Sequence, residues 1–276
     1  MPETPARYTL LNRLGAGGLG ELYRARDTAL GRTVALRILS PDIFETPERR
    51  EAFLLQAHAA AALSHPNIAG IHEVVNEGGS AFLAQEFVSG ETLARLSDGR
   101  ALYPRRAVGY AIQIADALAD AHAMGIEHGH LTGGSVLVTP KGHVKVVDFG
   151  LAAWTSPARE AEPTSDLVAL GRLLTALAGT TSRPHATDEA MNAGGMVGAI
   201  GRIVTKLQLG SDGGYESAAT AAADLRAIVE AFDAKDAAAP MTLRQASGAR
   251  RPTWLWLIVL LGLLGVGVLV WAAVRA

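Results

Sequence analysis

Val136–Thr139 and Val144–Val147 are two short apolar runs set either side of Pro140-Lys141-Gly142, a pattern that specifies a β-hairpin. The hairpin runs directly into Asp148-Phe149-Gly150, and the loop before it reads His128-Gly-His-Leu-Thr-Gly-Gly-Ser135. Any fold for this chain has to accommodate that loop, that hairpin and that terminal aspartate together.

The N-terminal part is strand-rich. Tyr8–Leu14 and Leu22–Arg26 flank Gly15-Ala-Gly-Gly-Leu-Gly20, and a third strand, Thr33–Leu39, follows the turn at Gly31. The dinucleotide-binding form of G-x-G-x-x-G needs a helix directly after the glycines. Here Glu21–Arg26 alternates with period two, so the turn lies between strands. Thr46-Pro47-Glu48 is a helix start, with an N-cap and a proline at the first helical position. Phe53, Ala57, Ala60 and Leu63 continue it at helical spacing up to His65-Pro66. Ile68–Val75 and Ser80–Val88 complete five strands and one helix.

Beyond Gly90 the chain is predicted helical apart from the hairpin. The segments are Arg105–Met124, Asp166–Ala178, Ala199–Leu209 and Ser217–Phe232, and the first ends at Gly125. From Asp233 to Pro252 the composition turns to Ala, Pro, Ser and Arg, which reads as a linker. Trp254–Val274 then carries no charge over about 21 residues, enough at ~1.5 Å per residue to cross a hydrocarbon core of ~30 Å. Trp254, Trp256 and Trp271 sit at its two ends as interfacial anchors do. A single transmembrane helix is expected over 253–274, with linker 233–252 and N-terminal tail 1–7. Arg244, Arg250 and Arg251 precede the span and favour a cytosolic N-terminal domain at the cell inner membrane.

A formal net charge of −2 gives no argument for a nucleic-acid partner. With no cysteine, the chain has no disulfide, thiolate metal site or cysteine nucleophile. Residues 1–7 lack the apolar core of a signal peptide.

The order and spacing of these features over roughly Tyr8–Phe232 resemble a bacterial eukaryotic-type serine/threonine protein kinase. The loop at 128–135 matches H-R-D-L-x-x-x-N, Val34-Ala-Leu-Arg37 matches V-A-I-K, and Asp148-Phe-Gly150 matches D-F-G. The resemblance implies an α+β, two-lobed fold: a small lobe (8–88) of five strands and one helix, and a larger helical lobe (89–232). It also implies a nucleotide cleft. Gly15, Gly17 and Gly20 would approach phosphate, and the backbone of Glu86 and Val88 would face adenine. Leu14, Leu22, Ala35 and Leu137 would form the apolar sandwich around it. Asp166 matches the aspartate that braces the catalytic loop from below.

Several working positions depart from the family. His130 stands where the aspartate general base would be, Thr132 replaces the loop lysine, Gly129 the loop arginine, and Ser135 the metal-binding asparagine. The strand lysine is Arg37, and its helix glutamate is Gln56. Guanidinium is planar and fork-shaped where the phosphate contact wants a compact ammonium, and a neutral glutamine cannot complete the ion pair. Asp148 alone survives of the ionic apparatus. It is a candidate Mg²⁺ ligand, a loop anchor, or a partner for Arg37 across the phosphate site. Only Leu151–Ser165 separates Gly150 from Asp166, too short for a full activation segment, and no A-P-E triplet occurs. The arginine that would pair with that glutamate is missing from Asp212-Gly-Gly-Tyr215. The loss of both partners is cheaper than leaving one buried alone.

His130 could replace the general base, since neutral imidazole accepts protons. The other replacements weigh against catalysis. The expectation is therefore a membrane-tethered pseudokinase that binds protein partners, with weak ATP or ADP binding that depends little on Mg²⁺. The alternative is a serine/threonine kinase of low activity.

Overall fold

The computed structural model describes residues 6–77, 80–98, 100–151, 154, 165–179, 188–210 and 213–238. The chain divides into two compact units, Met1–Phe232 and Asp233–Ala276. The expected span at 253–274, and all of the expected linker beyond Ala238, lie outside the described residues. Among the described residues no helix is long and apolar enough to cross a membrane.

Within the first unit, β1 (Tyr8–Gly17), β2 (Gly20–Asp27), β3 (Arg32–Leu39), β4 (Ile71–Glu77) and β5 (Ser80–Glu86) form one antiparallel sheet in the order β1-β2-β3-β5-β4. Alternation along β3 and β5 sends side chains to both faces. One face carries Ala25, Val34, Leu36, Phe82 and Ala84. The other packs Leu39, Ala81 and Leu83 against Phe53 and Ala57 of helix α1 (Pro47–Ala61). Thr46 caps that helix, its side chain accepting from Arg49 N at 3.3 Å.

The second lobe begins with β6 (Glu91–Thr92) and the five-residue helix α2 (Leu93–Ser97), neither of which the sequence signalled. Helix α3 (Pro104–Ala123) buries Val108, Ala111, Ile114, Ala115 and Leu118. The hairpin β7 (Val136–Val138) and β8 (Val144–Val146) pairs with β6 and sends its valines into the same core. Helices α4 (Asp166–Ala178), α5 (Asp188–Gln208) and α6 (Ala218–Ala238) complete it through Leu170, Leu174, Ile200, Val204, Leu207 and Leu225.

Four boundaries differ from expectation. The glycine-rich turn is part of a continuous hairpin, since β1 runs on to Gly17, which pairs with Gly20. Helix α5 starts at Asp188, not Ala199; Gly194, Gly195 and Gly198 weaken the helical signal in the sequence, and Gly195 lies against Phe232. Helix α6 continues past Phe232 to Ala238, so the expected helix end lies six residues early, while the division between the two compact units falls between Phe232 and Asp233 as expected. Arg7, assigned to the tail, belongs to the small lobe. It donates to both oxygens of fully buried Asp27, at 2.9 and 2.8 Å, because a carboxylate removed from water requires a cation.

Candidate active site in the interlobe cleft

Asp166, at the start of α4, holds the loop before the hairpin from beneath. Its two carboxylate oxygens accept from His128 N at 2.7 Å, Gly129 N at 2.9 Å and His122 Nε2 at 2.8 Å. Burial alone would raise its pKa, but these bonds, that of His122 foremost, outweigh it and hold the carboxyl below the usual range. Gly129 takes φ of 77°, which turns the loop upward.

His128 is buried against Phe149, ring centroids 5.0 Å apart. Its Nδ1 accepts from His130 N at 3.2 Å, so Nε2 carries the proton and donates to Val147 O at 3.1 Å. Burial pushes this imidazole below its ordinary pKa, so it is neutral. The side chains of His130 and Thr132 are exposed on the upper side of the loop. The Ser135 hydroxyl bonds back to its own loop: it accepts from Thr132 N and donates to Thr132 O, each at 3.0 Å.

Asp148 adopts a left-handed conformation, φ of 61°, which aspartate tolerates better than most residues. Arg37 Nη2 reaches its two oxygens at 3.0 and 2.9 Å. The salt bridge expected between these two residues is therefore present. Gln85 of β5 adds a third contact, donating from Nε2 to Asp148 Oδ1 at 3.3 Å. Gln85 is buried in a central strand, a polar residue that sequence reading passed over because the strand pattern absorbed it.

Gln56, on α1, does not reach toward Arg37 for a partner. Its Oε1 accepts the indole N–H of Trp154 at 2.7 Å. The Arg37 Nε is buried without a hydrogen-bond partner among the described residues.

The glycine loop lies close on the sheet. Gly20 has φ of 118°, and a Cβ there would collide with the Ile38 carbonyl. Leu19 at the loop tip is 1% exposed and packs in the cluster of Phe53, Ala57, Leu83 and Leu151. Gly15 and Gly17 have open space where a Cβ would stand. Of the residues expected to enclose a base, Leu14 is 44% exposed, Leu22 and Leu137 are half-buried, and Ala35 is buried. Glu86 N donates to Gly70 O at 2.8 Å, and its carboxylate takes Lys145 Nζ at 2.8 Å. Val88 follows half-buried. The Lys145 contact had no signal in the sequence, since a lysine in a strand usually faces water.

The residues present do not fit a metal-bound triphosphate, because Asp148 is engaged by Arg37 and Gln85 and the Ser135 hydroxyl is spent on its own loop.

Against known proteins, the protein kinase domain profile matches residues 8–175, more than half of the chain. The chain belongs to the protein kinase family. This kinase domain is 38% identical over 158 residues to the serine/threonine-protein kinase PknA of Mycobacterium tuberculosis, covering 53% of this chain and 35% of PknA. It is 35% identical over 147 residues to PrkC of Bacillus subtilis, covering 53% of this chain and 23% of PrkC. The chain thus spans about a third or less of these relatives' length. The kinase domain of M. tuberculosis PknI shares the fold, with a TM-score of 0.65 at 21% identity over 82% of this chain and 97% of that one.

The late-domain stretch that ends at Tyr215 is held by other contacts. Tyr215 is buried, its hydroxyl donates to Asp224 at 2.8 Å, and Lys206 Nζ lies 4.1 Å from its ring centroid. Residues 211 and 212 lie outside the described residues.

Proposed function

We propose that this protein is a pseudokinase: a kinase-fold module that binds partners and does not transfer phosphate, tethered to the membrane by 253–274. The observation that carries the reading is the closed Arg37–Asp148–Gln85 cluster, which uses the metal ligand as a structural anion. In a phosphorylating enzyme the strand cation neutralises phosphate and the aspartate holds Mg²⁺. Here each neutralises the other. The replacement of the general base by His130, and of the metal-binding asparagine by Ser135, points the same way.

A nucleotide would be held weakly, by burial of its base between Leu14, Leu22, Ala35 and Leu137, with glycine-loop contacts and the backbone of Glu86 and Val88. Because Mg²⁺ has to displace Arg37 from Asp148, binding should depend little on the metal. Thermal unfolding of the full chain in detergent micelles, with ATP, ADP and adenosine, tests this. Comparable small shifts with and without Mg²⁺ are expected, and strong stabilisation only by ATP with Mg²⁺ would overturn it.

Identity of 35–38% to proteins named as serine/threonine kinases favours a second reading, a kinase of low activity using His130 as base. Transfer of labelled γ-phosphate by the wild type, lost in His130→Ala, would establish it. For the tether, protease added outside intact cells should leave the kinase domain uncut.

A further inference from the structure

In the family, one ion pair between strand and helix couples helix position to the nucleotide. In this chain both positions of that pair carry substitutions, and each substituted residue has a new partner. Arg37 is bonded to Asp148, and Gln56 to Trp154. Both new partners belong to one short stretch. Leu151 N donates to Asp148 O at 3.2 Å and Trp154 N to Leu151 O at 3.0 Å, so backbone hydrogen bonds connect the aspartate to Leu151 and Leu151 to the tryptophan.

Trp154 makes three kinds of contact with α1. Its indole N–H donates to Gln56 Oε1 at 2.7 Å. Its ring meets Phe53 edge-on, centroids 5.5 Å apart and planes at 90°. Arg49 places its guanidinium carbon 5.5 Å from the ring centroid. Gln56, Phe53 and Arg49 lie at helical spacing on one face, so a single side chain grips about two turns of the helix. Leu151, fully buried, is packed in the same cluster as Phe53 and Ala57. The Arg37 Nε, meanwhile, is buried without a hydrogen-bond partner among the described residues.

We infer that Trp154 is a positioning residue that fixes helix α1 from the post-D-F-G stretch, replacing the nucleotide-linked ion pair, so that α1 is set by the chain itself. The stretch acts as a two-pronged staple, with Asp148 in the strand cation and Trp154 in the helix. Aromatic stacking and a hydrogen bond do here what a carboxylate and an ammonium do in a phosphorylating kinase. The placement of α1 in the nucleotide-free chain does not depend on the proposed nucleotide binding; only the coupling test below rests on that reading.

The experiment is hydrogen exchange on the full chain in detergent micelles, comparing wild type, Trp154→Phe and Trp154→Ala. Amides of α1 should exchange roughly tenfold faster in Trp154→Ala, with α3 amides unchanged, since loss of one anchor opens one element and not the domain. Trp154→Phe keeps the stacking and loses the N–H, and should fall between, at roughly two- to tenfold. Unchanged α1 exchange in both variants, or equal loss of protection in α1 and α3, would overturn the inference.

Coupling is read by adding Gln56→Glu. With Trp154 in place, the new carboxylate should stay on the indole. In Trp154→Phe/Gln56→Glu it is free for Arg37, which releases Asp148, and stabilisation by ATP should become Mg²⁺-dependent only in that double variant. Equal Mg²⁺ dependence with and without Trp154 would reduce the tryptophan to a packing residue. If no nucleotide shifts any variant, the nucleotide reading fails and exchange alone decides the role of Trp154.

Discussion

The two sides of the loop at 128–135, a few residues apart, are built differently. Beneath it, Asp166 engages His122, His128 and Gly129 with a full set of bonds, and His128 packs on Phe149 in a neutral, fixed tautomer. Above it, His130, Thr132 and Ser135 replace the groups that phosphoryl transfer uses, and Asp148 has been turned into the partner of an arginine. The underside determines where the loop stands; the upper side carries the groups that face the cleft. Burial constrains the first and leaves the second open to substitution.

The sharpest way to break this contrast is Asp166→Ala. It leaves two backbone N–H groups and His122 without their acceptor and should cost on the order of 3–5 kcal/mol in denaturant unfolding. Asp166→Asn, which retains one acceptor oxygen, should lose about half of that. If Asp166→Ala costs no more than a surface change, the underside does not support the loop.

Next comes the rewired pair. Arg37→Met and Asp148→Asn should each destabilise by about 2–3 kcal/mol, since each leaves a partly buried charge unpaired, and the double variant should cost less than their sum by about 1–3 kcal/mol. Asparagine is chosen because it accepts the left-handed backbone at 148. Strict additivity would mean that the bridge holds nothing.

A smaller effect is pH dependence. The lowered pKa of His128 means that the unfolded chain binds its proton first, so stability falls as pH drops below 6.5, the ordinary histidine value. The depressed Asp166 adds a second loss, which begins below its ordinary 3.8 and ends as pH falls through the folded value. His128→Gln should flatten the upper limb between pH 7 and 5 in urea titrations and leave the lower one. An unchanged upper limb would mean that His128 is not the group titrating there.

The least effect is expected from His130→Asp. Its side chain is exposed, so unfolding should barely change. A general base contributes about 10²–10⁴ in rate, yet groups acting as a unit are not additive, so no phosphoryl transfer should return while Arg37 holds Asp148. Recovery of transfer by this change alone would show that the upper side had lost one residue and not its whole arrangement.

How much was legible followed the same divide. The five-stranded lobe, helix α1, the hairpin and the role of Asp166 were readable because apolar period and motif spacing determine them. The Arg37–Asp148 bridge was readable because two linked substitutions, a lysine and its glutamate both replaced, left one charge with one place to go. Gln85 and Trp154 were not readable. Each is a single residue whose meaning depends on a neighbour far along the chain, and neither periodicity nor spacing reports such a meeting. Helix α5 was shortened in expectation because its glycines argue against a helix that packing sustains, with Gly195 lying against Phe232.

Leu19 has one more consequence. A leucine at the tip of a glycine-rich loop, buried to the last few per cent, makes lifting that loop a hydration event. Exposing such a side chain costs about 1.5–3 kcal/mol, which leaves the raised loop in roughly one molecule in ten to one in a hundred or fewer. A ligand that needs the tip raised would see its intrinsic affinity reduced by that fraction, whatever its contacts below. The latch is greasy and uncharged, so salt should not loosen it and cooling should, as hydrophobic burial weakens at low temperature.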